Sequence, residues 1–228
     1  LENLLSCPCK PPTAPSNERV TNPEVMKKSH LNLQGLHDTS QYGKIKLIQD
    51  IISDSDFLFI CLTETHLNES VLSAELHIEN YTLFRSDRKN RKCGGVAIYV
   101  KDGLGSCEEI KFSNDYCECL IVKIEKLKAI IITVYRPPKC ENVHFENALE
   151  ILQTYMSNIN QSEFKIFLCG DFNFPFIRWL NNDQTAAPGS YIINKGCTKA
   201  VTNQATRLLK LADTVNIFLH KLDRKSVV

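Results

Sequence analysis

Three short apolar runs stand out along the chain, each ending abruptly in polar residues. They are Phe57 to Thr63, which runs into Glu64-Thr65-His66; Ala129 to Val134, which runs into Tyr135-Arg136-Pro137-Pro138; and Phe164 to Cys169, which runs into Gly170-Asp171-Phe172-Asn173. Runs this short, rich in β-branched and aromatic residues, predict interior strands. The residues that close them stop a strand or resist burial. Three strand ends carrying a carboxylate, a phenol and an Asp/Asn pair can converge on one rim of a sheet. That layout suits an active site better than a core.

The rest of the pattern fills in around them. Residues 1–30 read as a disordered leader, broken by Pro8, Pro11, Pro12, Pro15 and Pro23. The folded domain is expected over 31–228, opening with a short strand near Leu31-Asn32-Leu33. Ile45, Ile48 and Ile52 give helical spacing over about 42–52. Tyr81 to Phe84 and Val96 to Val100 read as strands flanking a charged loop, and Glu118 to Ile124 with Ala129 to Tyr135 as a hairpin. Phe145, Ala148, Leu149, Leu152, Tyr155, Met156 and Ile159 mark one amphipathic helix. Residues 181–207 look mostly loop-like. Leu208 to Leu219 fits a helix by its first half and a strand by its second. No internal repeat is visible.

Composition narrows the classes. At 228 residues the chain can bury one large core, and 43% hydrophobic content is ordinary for a globular domain. No run is long enough to cross a membrane, and no secretory signal is visible, so an intracellular protein is expected. The absent initiator Met points to a processed chain or a partial reading frame. A net charge of +1 does not announce a nucleic-acid binder, so attraction to phosphate must come from a local patch. Among the ten cysteines, Cys7/Cys9 and Cys117/Cys119 are Cys-x-Cys pairs rather than the Cys-x-x-Cys usual in zinc ribbons. Free thiols are expected, with Cys61 and Cys169 acting as small hydrophobes inside strands.

In their order, Leu62-Thr63-Glu64-Thr65-His66, Arg85-Ser86-Asp87-Arg88, Gly94-Gly95-Val96-Ala97-Ile98-Tyr99-Val100, Tyr135-Arg136-Pro137-Pro138 and Gly170-Asp171-Phe172-Asn173-Phe174-Pro175 resemble motifs of the endonuclease/exonuclease/phosphatase superfamily, the DNase-I-like fold. Within it they look most like the apurinic-endonuclease-like domain of LINE-type non-LTR retrotransposons. The resemblance runs from about Leu31 to near the C-terminus. It implies an α/β fold, a four-layer α-β-β-α sandwich, and a metal-dependent endonuclease that nicks DNA and acts in the nucleus.

The resemblance also implies roles. Glu64 would hold Mg²⁺ (or Mn²⁺), as a hard cation prefers one or two carboxylates plus waters. Taken alone, Glu64 reads as a solvated acid after a strand. Asn32 would help hold the metal and phosphate, although an Asn at a strand end is often only a turn former. Asp171 would orient or deprotonate the attacking water, or act as leaving-group acid, and Asn173 would donate to the phosphate. Without the resemblance the pair is an Asx turn beside a Gly. Tyr135 would place its hydroxyl near the phosphate; otherwise it is a rim aromatic. His66 gets no catalytic role. Arg85, Arg88 and Arg136 are the DNA-contact candidates. The cluster of Arg85, Arg88, Lys89, Arg91 and Lys92 reads equally as a phosphate-binding loop or a solvated loop balanced by Asp87.

The chain departs from the pattern at its end. Thr206-Arg207 fits the expected Thr-Arg, and Asp213 is taken as the late Asp that orients a histidine. The terminal Ser-Asp-His is not found, and His220 is the last histidine. The expectation is therefore a domain incomplete at its C-terminus and weak or inactive. The rivals are a remnant that only binds nucleic acid or protein, and another phosphoesterase of the same superfamily.

Overall fold

A computed structural model describes residues 28–36, 44–54, 56–89, 93–105, 107–114, 117–138, 140, 142–160, 162–179, 191–194, 198–214 and 218–220. Residues 1–27 of the expected leader, including Cys7 and Cys9, lie outside these residues, as do Arg91, Lys92 and the segment after His220. The leader's last three residues, 28–30, instead open the first strand of the domain, three residues earlier than expected.

Two sheets form the centre. The first has the order β1 (Lys28–Asn32), β2 (Phe59–Thr63), β4 (Val96–Lys101), β3 (Tyr81–Ser86). The second has the order β11 (Phe218–His220), β8 (Lys165–Asp171), β7 (Ala129–Tyr135), β6 (Cys117–Ile124), β5 (Cys107–Asn114). A small two-stranded antiparallel sheet pairs β9 (Ile177–Trp179) with β10 (Tyr191–Ile193). The helices are α1 (Lys44–Asp54), α2 (Asn142–Ser157) and α3 (Lys199–Thr214).

The apolar runs form central strands because both of their faces are covered, so alternation of side chains does not alternate apolar with polar. In β2, Phe59 and Cys61 face the second sheet, while Ile60 and Leu62 face α1 and the segment around Leu67, Val71 and Leu76. In β7, Ile131 and Tyr135 face the first sheet, and Ile130, Ile132 and Val134 face α2 and α3. In β8, Phe167 and Cys169 face inward and Ile166 and Leu168 outward. The Phe59 and Phe167 rings meet between the sheets with centroids 5.5 Å apart. The result is a helix–sheet–sheet–helix sandwich, the four layers expected from sequence.

One expectation needs correction and one open reading is resolved. The stretch read as loop-like contains most of α3, whose inward face at that end carries Gln204 and Ala205, both buried. A polar and a small residue there leave the apolar period too weak to read. The ambiguous stretch is resolved by its two halves: α3 ends at Thr214, and β11 then pairs in parallel with β8. The edge strand β5 has no counterpart among the expected elements. It alternates only partly, and Glu108, Glu109 and Lys111 charge it, as edges commonly are.

Candidate active site

Parallel pairing brings strand ends to one rim. β1 and β2 are parallel with Asn32 opposite Thr63, so Asn32 and Glu64 emerge side by side. β7 and β8 are parallel with Tyr135 opposite Asp171. The two sheets meet there: Asn32 Nδ2 donates to Asp171 Oδ2 at 2.7 Å. Asp171 Oδ1 also accepts the Asn173 amide N–H at 3.0 Å, closing an Asx turn. The Tyr135 hydroxyl lies beside the Glu64 carboxylate. Glu64, Asn32, Tyr135, Asp171 and Asn173 thus form one constellation drawn from both sheets.

Local backbone geometry makes the constellation possible. Gly170 has φ +152°, and a β-carbon there would lie 2.0 Å from the Val134 carbonyl oxygen on the neighbouring strand. Only glycine lets β8 approach β7 so closely one residue before Asp171. On the other sheet, Gly94 and Gly95 dock the Glu64-Thr65-His66 segment. Their carbonyls accept the His66 N–H at 2.8 Å and the Thr65 N–H at 3.3 Å. Glu64 and His66 both take positive φ, 53° and 54°. From the opposite side the Gly35 and Leu36 N–H groups bond the carbonyls of Glu64 and Thr65, each at 2.7 Å.

The electrostatics favour a protonated phenol and a neutral imidazole. Burial pushes the Tyr135 hydroxyl far above the ordinary phenol range, with the Glu64 carboxylate adding to the effect. Burial pulls the His66 imidazole down, helped by the Lys44 and Arg88 charges and opposed by Glu64. Asn32 Oδ1 is a buried amide oxygen with no hydrogen-bond partner. A hard oxygen donor left unpaired beside a carboxylate fits a hard cation that takes few protein ligands.

A residue the sequence reading passed over supports this floor. Glu118, opposite Tyr135 on β6, is fully buried and takes the Arg88 guanidinium through Nε–Oε1 and through Nη2–Oε2 at 2.8 Å. Burial pushes its carboxyl up, against the pull of Arg88. Arg88 Cζ lies 5.5 Å from the Tyr135 ring centroid. The sequence signal was an acid at an inward position of an otherwise apolar strand.

The three arginine candidates for DNA contact are all engaged within the protein. Arg88 is spent on Glu118. Arg85 Nε bonds Asp87 Oδ1 at 3.0 Å, Nη2 pairs with Asp87 Oδ2, and the fork reaches the Val71 and Asn68 carbonyls at 2.9 Å. Arg136 is 1% exposed, turned into the core between the second sheet and its helices. Asp213 is exposed in the last turn of α3. Among the described residues nothing joins it to the constellation. Thr206 Oγ1 bonds back to the Thr202 carbonyl at 2.9 Å, and Arg207 pairs with Glu146 on α2. Cys117 and Cys119 point together into the core against the helices, where burial pushes both thiols up.

Comparison with known proteins agrees with this geometry. A model of the Endonuclease/Exonuclease/phosphatase family matches residues 30–214. No curated protein sequence matches significantly. Among solved structures, the 3′ phosphatase NExo from Neisseria bound to a product DNA hairpin is similar at TM-score 0.54 and 17% identity, over 82% of this chain and 71% of that one. An AP endonuclease from Archaeoglobus fulgidus is similar at TM-score 0.53 and 17% identity, over 80% of this chain and 69% of that one. The 3′-5′ exonuclease NExo from Neisseria meningitidis gives 0.52 and 17%, over 82% and 71%. At such identities the likeness is one of fold.

Proposed function

The chain belongs to the endonuclease/exonuclease/phosphatase family, and from that premise we propose that it is a metal-dependent DNA endonuclease domain of the non-LTR retrotransposon kind. The observation that carries the reading is the hydrogen bond between Asn32 and Asp171, which ties the two sheets together at the rim where Glu64 and Tyr135 also emerge. The wording around Glu64, Arg85, Tyr135 and Asp171 supports the retrotransposon class over other phosphoesterases. Structural neighbours that are nucleic-acid enzymes, one of them bound to DNA, support only the coarser reading of a nucleic-acid substrate.

Phosphodiester hydrolysis needs an in-line water, relief of the charge building on phosphorus, and a proton for the leaving oxygen. Glu64 and Asn32 Oδ1 would hold Mg²⁺ or Mn²⁺, which when bound supplies Lewis-acid stabilisation of the phosphate oxygens. Asp171 is held by two donors, Asn32 Nδ2 and the Asn173 N–H, so its remaining lone pairs face a fixed direction. In this reading it orients the attacking water and takes its proton. Tyr135 stays protonated and supplies an O–H beside the phosphate. Asn173, its amide fixed by donating to the Arg136 carbonyl at 2.7 Å, presents a preset polar group to the same place.

Nicking of supercoiled plasmid in Mg²⁺ tests the reading. Glu64→Ala should reduce nicking by about 10²-fold or more, and a chelator should abolish it. DNA binding that survives chelation with no nicking would replace the reading with a binding module. Phosphate release from sugar phosphates, with DNA untouched, would replace it with a different phosphoesterase.

A further inference from the structure

The buried Arg136 guanidinium is costly, and core stability does not explain it. Among the described residues no carboxylate pairs with it, yet it lies between two aromatic rings, with Cζ 4.5 Å from the Phe174 centroid and 5.4 Å from that of Phe145. Burying a charge without a counter-ion is unfavourable, and an apolar side chain of the same length would fill this space at less cost. What an arginine adds is a planar fork of five donors. Nη2 donates to Gln204 Oε1 on α3 at 3.1 Å, and Nη1 makes longer contacts to the carbonyls of Phe172 and Asn173, at 3.4 and 3.5 Å.

The backbone of the same residue grips the same loop. The Arg136 N–H donates to the Asp171 carbonyl at 2.9 Å, and the Arg136 carbonyl accepts Asn173 Nδ2 at 2.7 Å. Asn173 sits at φ 48°, in the left-handed region that asparagine adopts more readily than most residues. Among the described residues, every hydrogen bond of Arg136 runs to the turn 171–173 or to Gln204 on α3. We propose that Arg136 is a positioning residue: from behind the site it holds the turn carrying Asp171 and Asn173 in working geometry, with Gln204 as its anchor. The catalytic half of this inference rests on the endonuclease reading; the structural half does not.

The test uses the full chain and two substitutions. Arg136→Met keeps the length and apolar stem and removes the fork; Arg136→Lys keeps the charge and removes the fork. Both should fold, bind duplex DNA within about twofold of wild type, and lose roughly 10²-fold in kcat at little-changed KM, since small misplacements of catalytic groups cost that much. Amide exchange of residues 172–174 should quicken while β6 and β7 stay protected. Loss of folded protein in both variants, or a kcat that tracks the folded fraction, would reduce Arg136 to a stability residue. A rise in KM at constant kcat would make it a DNA contact. If wild type nicks no DNA, the endonuclease reading fails, and the exchange experiment alone decides: faster exchange of the turn upholds the positioning role, unchanged exchange overturns it.

Discussion

At the scale of single residues, the site is governed by which polar groups are left charged. Tyr135 is kept neutral by burial and by a carboxylate, so it serves as a donor and not as a phenolate. His66 is kept neutral for the same first reason, burial. A lowered histidine pKa means that the unfolded chain takes up a proton first as pH falls. The stabilising share of His66 is therefore complete above the ordinary imidazole value of about 6.5 and is lost as pH drops below it toward the lowered folded value. The share is modest because the side chain is partly exposed. Urea midpoints measured between neutral pH and pH 5 should fall with acid, and His66→Gln should flatten part of that fall. Glu64, Tyr135, Asp171 and Asn173 were all legible in sequence because each closes a conspicuous apolar run. Arg136 was legible as a member of its motif but not as a buried residue. A cation after a strand reads as exposed until the helix that covers it is known.

At the scale of elements, the strands hold the site through a few inward polar residues. Glu118 occupies a position of β6 where its neighbours Leu120 and Val122 are apolar. Its bidentate pair with Arg88 is the floor under Tyr135. Glu118→Ala leaves the guanidinium buried and unpaired, and should cost about 3–5 kcal/mol of stability by denaturant unfolding. Replacing both partners, Arg88→Met with Glu118→Leu, should recover most of that loss, because an apolar pair of similar volume has no charge to desolvate. Equal loss in the single and double variants would show that the pair contributes shape alone. The element that sequence missed, the first half of α3, was missed for a related reason. Its buried face uses Gln204 and Ala205, residues chosen by what they touch and not by hydrophobicity.

At the scale of the whole molecule, the site is the seam between two sheets. Asn32 comes from the first sheet and Asp171 from the second, more than a hundred residues later, and one hydrogen bond joins them. Ligands that bind across such a seam stabilise the folded state by mass action. Saturating Mg²⁺ should raise the thermal midpoint of the wild-type chain and leave that of Glu64→Gln unchanged. A rise of equal size in both would place the ion elsewhere.

The chain order of the central strands and of α1 and α2 was set by sequence alone, since apolar runs and helical spacing depend on local periodicity; β5 and the first half of α3 were not. So was the identity of the residues that end the central strands, because a polar residue closing such a run has few places to go. The partners of the charges were decided only by tertiary structure. Whether Arg85, Arg88 and Arg136 face solvent, Asp87, Glu118 or Phe174 depends on which elements pack over them. That is a matter of long-range contact, which a residue's own neighbours in sequence do not encode.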